Sequence, residues 1–157
     1  MTHKIARSTL GLIAVVLAGC ATNPKVPVDL QYKLPAPGVA TAVITGSEVS
    51  SPLTHNPTAF VLSVDGKIVM AGKKGWNVPL LVEAGVRIID VQMSRGEFVS
   101  HSYLELNAAA GVHYILMFDS DVGLLGNNTY CDFWFVDAAT GRAVTPKQRG
   151  GIEGGGR

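Results

Sequence analysis

Beyond its first twenty residues, the sequence has three histidines that could serve as general bases or metal ligands: His55, His101 and His113. Ser100 and Ser102 flank His101. Neighbouring residues of a strand point to opposite faces, so neither serine has this imidazole as its base. If the strands that carry His101 and His113 form a hairpin, the two imidazoles lie about 17 Å apart, too far to share a metal ion. The histidines are therefore interpreted as solvated or structural, and no catalytic residue is predicted.

The thiol of Cys131 is a second group that could react. Cys131 alternates with Phe133 and Phe135, so it shares a strand face with two large apolar side chains. A nucleophilic cysteine needs a neighbouring base or cation that lowers its pKa, and the sequence offers none here. We therefore interpret Cys131 as a small buried hydrophobic residue.

Asp119-Ser120-Asp121 has the spacing with which calcium-binding loops begin. An EF-hand loop also needs a ligand at its fifth position and a bidentate Glu at its twelfth, where this sequence has Gly123 and Tyr130. The pattern favours a turn whose carboxylates accept hydrogen bonds from backbone amides. Whether Asp119 and Asp121 also bind an ion is left open. No other metal site and no cofactor is predicted.

The first twenty residues have the pattern of a secretion signal. Lys4 and Arg7 lie in an N-terminal stretch without acidic residues, and an apolar run follows them. The run is about ten residues long, half of what a bilayer-spanning helix needs. It ends in Leu17-Ala18-Gly19-Cys20, which resembles the lipobox of bacterial lipoproteins. An ordinary signal peptide with an incidental cysteine is the alternative.

The lipobox resemblance implies that residues 1–19 are removed as a signal peptide and that the thiol of Cys20 receives a diacylglyceryl group. The new amino group of such proteins is usually acylated too, and two or three acyl chains anchor a protein stably in a lipid bilayer. An Asp after the cysteine tends to retain lipoproteins in the inner membrane, and this sequence has Ala21. The resemblance therefore implies the periplasmic side of the outer membrane in a Gram-negative host.

The charge balance argues against a nucleic-acid partner. The sequence has 13 basic and 12 acidic residues, and removal of residues 1–19 would leave 11 basic residues. Binding to phosphate polymers rests on clustered Lys and Arg, which a near-neutral surface does not provide. No nucleic-acid binding is expected.

Glycine and proline divide the remaining chain into three parts. Residues 20–38 contain four prolines and few large apolar side chains, which predicts an extended tether that reaches at most about 50 Å. Residues 39–146 alternate apolar runs with turn signals and form the predicted folded domain. Residues 147–157 contain five glycines and predict a disordered tail.

The predicted domain is all-β, a single small β-sandwich of about seven to eight mostly antiparallel strands. The predicted strands are 40–45, 59–64, 67–71, 78–82, 86–93, 98–106, 112–118 and 130–136, with a short additional strand near 142–145. Asp65-Gly66 suits the positive φ angles of a type I′ turn and predicts a hairpin between the second and third strands. That hairpin would pair Phe60 with Ala71, and its two apolar faces predict a central position.

A second resemblance rests on three motifs: Val64-Asp65-Gly66-Lys67, the stretch Leu-Leu-Val-Glu-Ala-Gly-Val-Arg-Ile over 80–88, and Ala110-Gly111-Val112-His113-Tyr114. They are similar to PEGA-type and related immunoglobulin-like or prealbumin-like sandwich modules of small bacterial envelope lipoproteins. The resemblance covers roughly residues 59–118. It implies a non-catalytic binding or scaffolding role and names neither a ligand nor functional residues.

Trp134 and Tyr130 are predicted contacts for an unidentified envelope protein. They alternate with the core face of the last strand and share their own face with Asp132 and Val136. A face that mixes aromatic side chains with a carboxylate is typical of a half-exposed surface, and Tyr and Trp supply large contact areas at low entropic cost. The alternative is that Trp134 packs beneath the loop 119–129.

These observations predict a membrane-anchored periplasmic lipoprotein that acts as a non-catalytic binding or scaffolding module. The alternative is a periplasmic inhibitor or immunity protein that blocks a cell-wall enzyme with an exposed loop. A rigid loop that presents a charged side chain to solvent would favour the inhibitor. A flat apolar patch would favour assembly with another protein.

Overall fold

The computed structural model describes residues 25–52, 54–123 and 127–154. The predicted signal peptide, the lipobox and Cys20 lie outside the described residues. Within them the prediction of an all-β fold is confirmed, since the regular elements are ten strands and two short 3-10 turns. The described part of the chain holds no helix with the length and apolar character needed to cross a bilayer.

The ten strands form one curled, mixed sheet, a half-barrel with the order β2-β3-β6-β7-β10-β9-β8-β1-β5 and with β4 paired to β3. Only β1 and β8 run parallel among the paired strands of the described chain. The predicted sandwich of seven to eight strands is not confirmed, because hydrogen bonding through β10 joins all ten strands into one sheet. The strands are β1 (Thr41–Thr45), β2 (Ser47–Glu48), β3 (Thr58–Val64), β4 (Lys67–Ile68), β5 (Leu80–Glu83), β6 (Gly85–Arg95), β7 (Phe98–Ala108), β8 (His113–Ser120), β9 (Cys131–Asp137) and β10 (Gln148–Glu153).

The core lies on the concave side of the curled sheet and follows the two-residue period of its strands. Along β7, Leu104 and Leu106 are buried while the alternate residues Tyr103 and Glu105 are exposed. The predicted core face of β9 is confirmed, since its apolar side chains are completely buried. The fully buried side chains of largest volume are Phe133, Phe135, Ile44, Ile89, Met93, Leu106 and Leu116.

The predicted turn of the Asp65-Gly66 hairpin is confirmed, but the predicted length of the hairpin and its predicted place in the sheet are wrong. Asp65 and Gly66 have φ angles of 49° and 76°, and Val64 pairs with Lys67 as predicted. β4 ends at Ile68, however, and Phe60 does not pair with Ala71. The chain leaves the sheet there through a short 3-10 turn at Lys73–Gly75, so the hairpin lies at an edge instead of the centre.

The strands of His101 and His113 do not form the hairpin from which the distance between the two imidazoles was inferred. β7 pairs with β6 and β10, whereas β8 pairs with β1 and β9. The turn between β7 and β8 is bound by β1 instead, because Gly111 donates its N–H to Thr41 and Val43 donates to the carbonyl of Val112.

The glycine-rich segment that predicted a disordered tail contains β10, so that part of the prediction is wrong. β10 lies between β7 and β9 and bonds to both. Its glycines allow this close packing: a Cβ at Gly150 would stand 2.5 Å from the carbonyl oxygen of His101 and 2.6 Å from Oγ of Ser100. Because glycine has no side chain, the segment can pack between two strands instead of being disordered.

The predicted tether is bound to the domain over part of its length. We call residues Val26–Tyr32 the strap. Tyr32 donates its backbone N–H to Ile68 and its hydroxyl to the carbonyl of Leu81, and its ring packs against the core. The sequence did not reveal this, because the strap's partners are two distant strands.

Candidate functional site

An open groove lies on the convex, outer face of the sheet, beside the Asp65-Gly66 hairpin. We call it the outer groove; its volume is about 430 Å³. Its walls include Leu62, Ile68, Ile88 and Tyr103, and Asp90 lies among them. The Ile88 and Tyr103 side chains are 45% and 62% exposed, which is unusual for large apolar groups adjacent on one sheet face.

Asp90 is the single carboxylate among the residues that line the outer groove. It stands on β6 directly opposite Tyr103 on β7. Its Oδ1 is shielded from solvent, and no donor among the described residues reaches that atom. Burial raises the pKa of Asp90, and nearby His101 partly offsets this rise. No described residue donates a hydrogen bond to Oδ1, and His101 offsets only part of the desolvation of an anion at this position.

Trp134 and Tyr130 lie on the half-exposed outer face, as the alternation predicts. Lys147 Nζ stands 4.2 Å from the centre of the Trp134 ring, and the Arg149 guanidinium stands 4.9 Å from that of Tyr130. Arg149 also donates two hydrogen bonds to Asp132, at 2.8 and 2.9 Å. We call these five residues the aromatic-basic strip.

The side chains of the strip contact one another, and the sequence did not predict these contacts. Lys147 and Arg149 belong to the segment for which the glycines predicted disorder, so no covering cations were expected. The hydrogen bonds from Arg149 lower the pKa of Asp132, which keeps that carboxylate ionised. A partner at Trp134 would have to displace or share the Lys147 contact, whose free energy is about 0.5–1 kcal/mol at an exposed site.

The loop between β8 and β9 is organised by Asp121. Its carboxylate accepts hydrogen bonds from the backbone N–H groups of Thr129 and Tyr130 at 2.8 and 2.9 Å. Desolvation raises the pKa of Asp121, but these bonds and the Thr129 hydroxyl hold it below its ordinary value overall. Arg95 holds the other side of the loop through the Val122 carbonyl. Asp121 therefore caps backbone amides, as the sequence indicated.

The histidines and the internal cysteine occupy separate environments. Nε2 of His113 is hydrogen-bonded to Oγ1 of Thr45 at 2.9 Å, and Nε2 of His101 stands 3.6 Å from Oε1 of Glu153. Burial raises the pKa of the Cys131 thiol to about 12, so the thiol is protonated at neutral pH. A protonated, buried thiol is not a nucleophile.

Within residues 25–52, 54–123 and 127–154, no three His, Cys, Asp or Glu side chains are grouped so that they could hold a metal ion. The outer groove was invisible in the sequence, because it is assembled from β3, β4, β6 and β7. The one available signal was Asp90, a lone carboxylate between the apolar residues of a predicted strand. Comparison of the chain with family models, curated proteins and solved structures finds no match.

Proposed function

We propose that the chain is a lipid-anchored envelope protein that acts as a non-catalytic binding module and contacts a protein partner through the outer groove. The observation that carries this proposal is that exposed Ile88 and Tyr103 flank a carboxylate whose shielded Oδ1 receives no hydrogen bond from the described residues. An apolar rim around a group that needs a ligand is typical of an interaction surface.

The partner side chain that best fits the outer groove is a Lys or Arg. A cation beside Asp90 would stabilise the carboxylate against the desolvation that raises its pKa. The exposed ring of Tyr103, directly across the strand pair, can accept the same cation on its face. The alkyl part of the partner's side chain would contact Ile68 and Ile88.

Trp134 and Tyr130 are proposed as a second contact on the same outer face. The covering side chains Lys147 and Arg149 make this region basic at its surface and aromatic beneath. Such a strip favours an acidic partner segment, whose carboxylates could bind the two cations and release their contacts with the rings. The outer groove and the strip are thus complementary to opposite charges on a partner.

The alternative, an inhibitor or immunity protein with an inserting loop, has less support. The loop 119–129 is held at its base by Arg95 and Asp121, as an inhibitor loop would require. Asp121, however, is directed to its own loop's backbone instead of toward a target. The apolar patch at Ile88 and Tyr103 favours assembly with a protein over insertion into an enzyme cleft.

The lipid anchor and the outer-membrane location remain part of the proposal and rest on the lipobox resemblance at Cys20. The kinship to PEGA-like modules rests on the motifs within 59–118. A fatty-acid analogue tests the anchor: it should label the wild type and leave Cys20→Ser unlabelled, since a hydroxyl does not replace the thiol in that modification. Label that persists in Cys20→Ser would overturn the anchor.

Affinity capture from envelopes tests the binding surface. The lipidated full chain is compared with Asp90→Asn, which removes the charge and keeps the shape, and with Tyr103→Ala. Asn107→Ala is the matched control, because Asn107 lies on the same exposed face of β7 and pairs with Val86, outside the lining of the groove. We expect the captured partner to be lost from the first two variants and retained by the third. Equal capture by all of them would contradict the groove, and capture of a cell-wall enzyme that the chain inhibits would favour the alternative.

A further inference from the structure

The strap connects opposite edges of the curled sheet. Gln31 forms a parallel bridge with Ile68 on β4, and the next residue bonds to both edges: Tyr32 donates its N–H to Ile68 at 2.8 Å and its hydroxyl to Leu81 on β5 at 3.0 Å. Lys67 adds a hydrogen bond from Nζ to the carbonyl of Asp29. β4 and β5 do not pair with each other, so Tyr32 links two edges that the strand pairing leaves apart.

Because the strap is bonded to the domain, an anchor at Cys20 would hold the domain closer to the bilayer than a free tether would. Gln31 donates its side-chain amide to the carbonyl of Val26 at 2.8 Å, which ties the strap's first residue to its last turn. Cys20 precedes Val26 by six residues. Six fully extended residues span at most about 22 Å, less than half of the roughly 50 Å predicted for a free tether.

The strap and its flanks expose apolar and basic side chains together. Val28, Leu30 and Leu34 are 69%, 42% and 65% exposed. Lys25 precedes them and Lys33 stands between the last two, and both lysines are exposed; the exposed Asp29 between Val28 and Leu30 leaves the surface with one net positive charge. Aliphatic side chains combined with lysines are the composition that binds the interface of a bilayer containing anionic lipids.

We propose that the strap and its flanking residues form a bilayer-docking surface, with Val28, Leu30 and Leu34 in the headgroup boundary and Lys25 and Lys33 at anionic headgroups. The proposal rests on the lipid anchor proposed above, because the acyl chains on Cys20 would hold the strap within about 22 Å of the bilayer.

Docking would give the domain a fixed orientation. The strap is bonded next to the Asp65-Gly66 turn, where β6 begins, whereas Arg95 ends β6 and holds the loop 119–129. β6 has eleven residues and is about 35 Å long, so Val122 and the turn at Gly96 and Glu97 would be presented away from the bilayer.

The test uses the lipidated full chain in vesicles of phosphatidylethanolamine and phosphatidylglycerol. A polarity-sensitive fluorophore is attached at Val28→Cys, and at Glu97→Cys in the exposed turn after Arg95 as the matched control. Cys131 does not compete for the label, because it is completely buried. We expect a blue-shifted emission at position 28 that brominated lipids quench at least twofold, and an unquenched, water-like emission at position 97.

Incorporation of a fatty-acid analogue is measured on the same samples. An acylated protein whose label at position 28 stays water-like and unquenched would overturn docking and leave the anchor standing. A chain that is not acylated at Cys20 would overturn the anchor and the docking with it. Equal quenching at positions 28 and 97 would overturn the orientation. Lys25→Glu combined with Lys33→Glu should reduce the quenching at position 28, and unchanged quenching would contradict the role of the lysines.

Discussion

At the scale of single residues, position 150 has no room for a side chain. A Cβ there would overlap with the His101 carbonyl and the Ser100 hydroxyl, whereas a Cβ at Gly151 would meet nothing within 4 Å. We therefore expect Gly150→Ala to lower the free energy of unfolding by about 1–3 kcal/mol, because β10 must move away from β7. Gly151→Ala, the matched control in the same strand, should change it by less than about 0.5 kcal/mol. Urea unfolding of both variants checks this, and equal stabilities would contradict the close packing of β10.

The Asp90 carboxylate predicts a particular pH dependence of stability. Its pKa is raised by burial in the folded state, so the folded chain binds the proton more tightly than the unfolded chain does. The contribution of Asp90 is therefore most favourable below its unfolded pKa and declines as pH rises through the folded pKa. Asn at position 90 cannot ionise. The free energy of unfolding of Asp90→Asn minus that of the wild type should therefore be larger at pH 7 than at pH 3. Thermal unfolding at both values measures this, and a difference that does not change with pH would contradict it.

Part of the candidate site could be predicted from single residues and part could not. Period-two alternation correctly placed Trp134 on a half-exposed face and Cys131 in the core. The partners of Trp134 and Tyr130 could not be predicted, since Lys147 and Arg149 come from a strand whose composition resembles a disordered tail. Asp90 stood out in the sequence only as a lone carboxylate in an apolar strand, and its environment could not be predicted because that depends on which strands lie beside β6.

At the scale of elements, the β3–β4 turn offers a test that separates backbone strain from crowding. Gly66 has a φ of 76°, and a Cβ there would meet nothing within 4 Å. Gly66→Val should lower the free energy of unfolding by about 1 kcal/mol or more, because a β-branched residue resists positive φ. Gly66→Asn should cost less, since Asn tolerates this conformation. Thermal unfolding measures both, and equal losses would mean that the strain at φ does not dominate.

The same turn shows why individual strands and turns were easier to predict than the strands that pair with them. Asp-Gly between two apolar runs is a local signal, and it correctly predicted the pairing of Val64 with Lys67. The position of the hairpin at an edge depends on the turn at Lys73–Gly75, which draws the chain away after Ile68. It also depends on Arg87 of β6, which donates to Asp65 at 2.9 Å. These are contacts between distant segments, and apolar alternation does not encode them.

At the scale of the whole molecule, four pairs of neighbouring strands do not follow one another in the chain: β3 and β6, β7 and β10, β8 and β1, and β1 and β5. β1 pairs in parallel with β8, and β10 returns from the end of the described chain to lie between β7 and β9. A sequence of short antiparallel strands predicts neighbours that follow one another, as in the hairpin considered for β7 and β8. β10 joins the half of the sheet that ends at β7 to the half that ends at β9, which makes one curled sheet. Without β10, no hydrogen bonds would connect β7 and β9.

Removal of β10 tests this architecture. A chain that ends after Pro146 loses the strand that bonds to both β7 and β9, together with Ile152, which packs against the core. We expect the loss to be on the order of 5 kcal/mol, enough to abolish the cooperative thermal transition of a marginally stable domain. A peptide of residues 147–157 added in trans should restore the transition, and the same peptide with Gly150→Val should not, because the added side chain would overlap with β7. A truncated chain that unfolds at the wild-type temperature would show that the segment is the dispensable tail its composition predicted.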